Sequence, residues 1–155
     1  TLFRSRMENV TNELLPTEVT SPACINLQMM RSSHYILKAY DEAYRPYGIR
    51  ATQMPVLGAV ARRQPITIRE IADELETERS VMSRKLQVME KSGWVQEDPE
   101  TSGKEKTFVL TEDGKALIQQ ILPVRMEVQQ RLMSALSEEE LNLLLTLCNK
   151  LKAVS

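Results

Sequence analysis

The chain has 155 residues, 42% hydrophobic and 26% charged, with a formal net charge of −1, the proportions of an ordinary globular protein of one domain or of two small lobes sharing a core. Two cysteines and one histidine exclude a disulfide-stapled secreted scaffold and a histidine-rich metal or acid–base centre. No apolar run approaches the roughly 18 residues that span a bilayer, and there is no Walker, G-x-G-x-x-G, C-x-x-C or G-x-S-x-G pattern, so an enzyme is not expected, nor a cofactor, a bound metal or a membrane partner. The cytoplasm is the default location. Residues 1–21 are polar and irregular and are read as an arm; "TLFRSRMENV" lacks the apolar core of a signal peptide. Met7 is a candidate natural start, which makes Thr1–Arg6 an added remnant.

The first element opens at "SPACINLQMM", with Ser21 placed to cap and Pro22 at the first helical position. Apolar residues at Ile25, Met29, Met30, Ile36, Leu37, Tyr40 and Tyr44 keep a helical period, and Pro46 and Gly48 stop it. A shorter helix follows, capped by Thr52, with Met54, Leu57, Val60 and Ala61 on its apolar face. "TIREIADEL" begins with a capping box, Thr67 with Glu70, and buries Ile68, Ile71, Ala72 and Leu75. Thr77 is read as the cap of the next helix, which Gly93 ends as a left-handed stop. Two short amphipathic helices with a tight connection spell helix-turn-helix.

After Trp94 the period changes. Trp94-Val95 and Phe108-Val109-Leu110 read as two strands of a hairpin with a long tip. Thr111 caps a helix expected to bend near Pro123, and Ser137 with Glu140 forms a second capping box before a Leu-rich last helix. The fold class is therefore mainly α with a small β-hairpin wing (α+β): a winged helix-turn-helix lobe over 51–111 and a helical lobe from 22–48 and 112–153.

The helix "RSVMSRKLQVMEK" carries Arg79, Arg84, Lys85 and Lys91 against the single acid Glu90. Met82, Leu86 and Met89 define its buried side, which turns Ser80, Val81, Ser83, Arg84 and Gln87 outward. Those side chains suit a major groove: Arg84 can be bidentate to guanine, Gln87 to adenine, and Val81 can meet a thymine methyl. Thr67 and Thr77 stand at helix N-termini, where free N–H groups favour phosphate. The bland alternative is a solvated amphipathic helix; the capped helix before it and the hairpin behind it favour DNA. Across 66–113 seven basic residues face twelve acidic ones, a net of −5. Phosphate neutralisation supplies much of DNA affinity, so the expectation is a narrow positive strip on a negative body.

In the order and spacing of "TIREIADEL", "RSVMSRKLQVMEKSGWV" and "LTEDG", the chain resembles the MarR family of bacterial transcription regulators over about residues 22–153. The resemblance implies a sequence-specific double-stranded DNA-binding regulator, usually a repressor. Its wing pattern implies an Asp-x-Arg near the tip; Ser102 and Lys104 occupy those positions, which leaves Lys104 and Lys106 for phosphates. It also implies a homodimer on a palindromic operator, with reading helices about 34 Å apart. The broad apolar faces of the terminal helices (Met29, Ile36, Tyr40; Leu141, Leu144, Leu145, Leu151) agree, although they can also pack within one chain. Relatives bind small aromatic or phenolic ligands between the lobes, where His34, Tyr35, Lys38 and Arg62 are candidates against plain surface roles. Some sense peroxide through an early cysteine. Cys24 is expected about three residues into its helix, where the macrodipole lowers a thiol's pKa, and Cys148 lies on the last helix; the competing reading is two small buried hydrophobes. A winged helix used only for protein contacts is the alternative function.

Overall fold

The computed structural model describes residues 24–101, 103 and 105–154; the expected arm, the Ser21 cap, Pro22, Ser102 and Lys104 lie outside them. The chain divides into two compact units between Lys38 and Ala39. The first consists of Cys24 and most of helix α1 (Ile25–Tyr44), whose Ile25, Met29, Met30, Tyr35 and Ile36 are exposed.

The second unit begins with the end of α1, where a single 3-10 turn at Arg45–Tyr47 closes on Gly48 in the left-handed region (φ 71°). Helices α2 (Met54–Arg63), α3 (Ile68–Glu74) and α4 (Arg79–Lys91) follow, then α5 (Glu112–Met133) and α6 (Glu138–Lys152). Strands β1 (Ile66–Thr67), β2 (Val95–Glu97) and β3 (Thr107–Leu110) form one antiparallel sheet in the order β1-β3-β2. The hairpin of β2 and β3 is the expected wing, in register Val95 with Leu110 and Glu97 with Phe108. β1 was not expected. Its two residues pair with Phe108 and Thr107, so the entry to α3 is part of the wing's sheet.

The core is the apolar stripe of each short helix meeting that sheet. Leu57, Ile71, Met82, Leu86, Met89, Ile66, Val95 and Ile121 are each at most 2% exposed, and they form one cluster. Burying a side chain of this size contributes about 1.5–3 kcal/mol. Ala61, Ile68 and Leu75 are only half-buried at its margin.

The capping boxes Thr67–Glu70 and Ser137–Glu140 and the Thr111 cap are formed as the sequence implied. Thr52 and Thr77 cap nothing. The residue before α2 is Gln53, whose Oε1 accepts the Arg50 N–H at 2.8 Å; the residue before α4 is Glu78, with no side-chain cap. α5 runs unbroken through Pro123, which denies the Gln119 carbonyl its usual donor four residues on.

Candidate nucleic-acid interface

The turn between α3 and α4 decides where the basic helix starts. Glu76 takes a positive φ of 49°, and the Thr77 N–H reaches back to the Ala72 carbonyl at 3.0 Å. This is a Schellman closure, usually built on glycine, and it delays α4 to Arg79. At its other end Gly93 (φ 75°) repeats the device, with the Trp94 N–H on the Met89 carbonyl at 3.0 Å. Trp94 in turn accepts the Thr111 N–H at 3.1 Å, and the Thr111 hydroxyl donates to the Gly93 carbonyl at 2.5 Å. The exit of α4 and the start of α5 are thereby tied together at the base of the wing.

Within that frame Met82, Leu86 and Met89 are buried, as expected. Arg79, Ser80, Arg84 and Gln87 are exposed; Val81 and Ser83 are half-buried, and Val81 leans on the core. At about 100° per residue, Ser80, Arg84, Gln87, Val88 and Lys91 share the side opposite the buried stripe. Val88 was missed by sequence reasoning. The helical period, which sets this β-branched apolar residue among the polar ones, is the signal that could have found it; the side chain is 50% exposed.

Among the described residues no carboxylate pairs with Arg79, Arg84 or Lys91, while most other basic residues of this lobe are held by acids. Arg84 Nε donates to the Ser80 carbonyl at 3.3 Å, which steadies the exposed side chain and leaves its two terminal nitrogens without a carboxylate partner among the described residues. By contrast Arg62 pairs with Glu74, Arg63 lies within 4.0 Å of Glu70 and 3.9 Å of Glu74, Arg69 pairs with Asp73 at 3.7 Å, and Lys106 with Glu97 at 2.7 Å. Lys106 is thus engaged by its own hairpin, and Glu97 raises its pKa through that hydrogen bond.

The two threonines stand differently from expectation. The Thr67 N–H and hydroxyl are both taken by Glu70 Oε2, at 2.9 Å each. Thr77 lines a concavity with Ala72, Asp73, Glu76 and Glu78, an acidic rim that disfavours phosphate.

His34 and Tyr35 are exposed and meet edge to face at 5.6 Å, and Lys38 is exposed. Arg62 belongs to the ion-pair group joining α2 to α3. Cys24 immediately precedes α1, its carbonyl accepting the Gln28 N–H at 3.0 Å, rather than lying within the helix. Cys24 and Cys148 are free and half-buried. Tyr40 packs against the core of its own chain beside Tyr44, ring centres 5.7 Å apart. Leu141 is half-buried, but Leu144, Leu145 and Leu151 are exposed, as are Met126, Met133, Leu143 and Leu147, which the sequence did not single out. No residue of α6 is buried. Among the described residues no group of histidine, cysteine or acidic side chains is placed to hold a metal, and no helix is long and apolar enough to cross a membrane.

The sequence model of the MarR family matches residues 47–104, which take in α2, the helix-turn-helix and the first strand of the wing. The uncharacterized HTH-type transcriptional regulator YwoH of Bacillus subtilis is 26% identical over 113 residues, 73% of this chain and 82% of its own length. The solved M. tuberculosis regulator MosR in complex with DNA is 26% identical with a TM-score of 0.75, over 84% of this chain and 96% of that one. The S. aureus MepR–DNA complex gives the same TM-score at 23% identity, over 84% of this chain and 98% of that one.

Proposed function

The chain belongs to the MarR family of winged helix-turn-helix transcription regulators, and from that premise we propose that it binds a specific duplex as a homodimer in the cytoplasm and acts as a repressor. The observation that carries the reading is the outward face of α4. Its basic side chains have no acidic partner among the described residues, on a lobe where most other basic groups are paired. Arg84, exposed and unpaired with any carboxylate among the described residues, is suited to a guanine edge, Gln87 to adenine, and Val88 beside Val81 to thymine methyls. Both relatives cited as complexes were solved with DNA.

Residues 51–111 form the reading lobe on this proposal, and 22–48 with 112–153 the dimerisation lobe. Support for a second copy comes from α6, which buries none of its residues and exposes Leu143, Leu144, Leu145, Leu147 and Leu151. Contiguous apolar surface of that kind marks an interface. Release by a small aromatic acid near His34, Tyr35 and Lys38 completes the proposal; Arg62, the other candidate, is paired with Glu74. Thiol oxidation at Cys24 or Cys148 is the lesser route. The net charge of −5 across 66–113 favours the alternative, a winged helix for protein contacts alone.

Fluorescence anisotropy with the DNA upstream of its own gene, beside a scrambled duplex and across a salt series, separates the two. Tight, salt-dependent binding of two chains per site, with the scrambled duplex much weaker, is expected. Equal and weak binding to both duplexes would transfer the case to protein partners.

A further inference from the structure

Lys85 lies in the basic run of α4, but its surroundings differ from those of its neighbours. Arg84 and Lys91 face away from the buried stripe, whereas Lys85 is half-buried on the stripe's flank. Its Nζ donates to the Thr52 carbonyl, 3.1 Å away and 33 positions earlier in the chain. Thr52 belongs to the turn that enters α2. That turn is closed on itself: the Gln53 and Met54 N–H groups donate to the Arg50 carbonyl at 2.9 and 3.3 Å, and the Arg50 N–H donates to Gln53 Oε1 at 2.8 Å. Its far side is held by the end of α1. Asp41 Oδ1 accepts the Ala51 N–H at 2.7 Å, and Oδ2 lies 3.4 Å from the Arg50 guanidinium.

We infer that Lys85 is a positioning residue that fixes the reading helix to the end of α1 through the 50–54 turn and Asp41, and that it makes no phosphate contact. The inference rests on the DNA-binding reading of α4 and adds to it a link that the basic run alone conceals. Both ends of the link hold backbone of one closed turn, so the turn moves as a unit. A shift of Asp41 is delivered to the Thr52 carbonyl and from there to α4. A reading helix tolerates displacements of only about half an ångström before several base contacts are lost together.

The test compares the full chain with Lys85→Met, Lys85→Arg, Asp41→Ala, Asp41→Asn and the Lys85→Met/Asp41→Ala pair in operator titrations across a salt series. Lys85→Met should weaken specific binding about tenfold, the equivalent of one charge-assisted hydrogen bond, with the slope against salt unchanged. Asp41→Ala should do the same, and the double variant should be no weaker than the worse single one, because the two belong to one link. Lys85→Arg keeps a donor and Asp41→Asn keeps the acceptor for Ala51, and both should bind near the parent level. A slope lower by about 0.9 in Lys85→Met, the signature of one lost phosphate contact, with Asp41→Ala silent, overturns the inference. Hydrogen exchange without DNA provides an independent reading. Lys85→Met should speed exchange at the amides of residues 51–54, and unchanged exchange there removes the link whether or not any duplex is bound. Failure of the parent protein to prefer its operator would instead count against the DNA-binding reading itself.

Discussion

Gly114 lies directly against the Trp94 carbonyl: a Cβ on Gly114 would stand 2.0 Å from the Trp94 oxygen and 2.9 Å from its carbon. Both atoms are backbone, at the junction where Thr111 ties α5 to the exit of α4. Gly114→Ala therefore forces α5 away from the wing base and should cost about 3 kcal/mol or more, as overpacking against rigid atoms does. Urea unfolding followed by the fluorescence of Trp94, the only tryptophan, checks this. A loss under 1 kcal/mol would mean that the junction is looser than described.

Arg84→Ala removes an exposed side chain of α4 that only its Nε, on the Ser80 carbonyl, ties to the helix. Operator affinity should fall by about 1–3 kcal/mol, with discrimination relaxed at one base pair. Titration of single-position operator variants reads both effects. A uniform loss across all variants would reassign Arg84 to phosphate.

Glu76 carries its positive φ at a position where glycine is the usual choice. Its carboxylate also meets Lys152 Nζ at 2.7 Å, both side chains being more than half exposed. In high salt such a pair is screened and contributes little. Glu76→Gly measured there should therefore raise stability by about 1 kcal/mol through relief of the left-handed backbone. No gain in denaturant midpoint would indicate that the turn relaxes elsewhere.

Glu70 accepts the Thr67 N–H and hydroxyl, which hold its carboxyl below the ordinary value of 4.5. The folded value is the lower one, so its contribution to stability is complete above about pH 4.5. It disappears as pH falls through the folded value. Glu70→Gln retains a cap acceptor without the charge and should show a shallower loss of stability between neutral and acid pH. Thr67→Ala should cost about 1 kcal/mol at pH 7. Denaturation of the three proteins at pH 7 and at acid pH measures both.

Elements whose signals are local were legible in the sequence. The boxes at Thr67–Glu70 and Ser137–Glu140 need only a side chain and an amide three residues away, and Gly93 needs only its own φ. The apolar stripe Met82, Leu86, Met89 followed from helical spacing alone. What escaped was non-local. β1 exists because Ile66 and Thr67 meet Phe108 and Thr107, some forty residues on, and two residues carry no period of their own. Thr52 and Thr77 have the chemistry of caps, but the turns before α2 and α4 place other residues at that position. Lys85 could not be told from Arg84 by composition, since the difference is the Thr52 carbonyl, 33 residues away. Arg62 looked available for a ligand until α2 and α3 brought Glu74 to it.

Because β3 pairs with β1 on one side and β2 on the other, the wing is not an appendage that can open by itself. Peeling β3 away would strip partners from Ile66 and Thr67, and with them the entry to the capped first turn of α3. Local opening free energies follow the number of contacts surrendered together. The hairpin and the helix-turn-helix should therefore melt as one cooperative unit, and a lesion at Phe108 should be felt as an early fraying of α3.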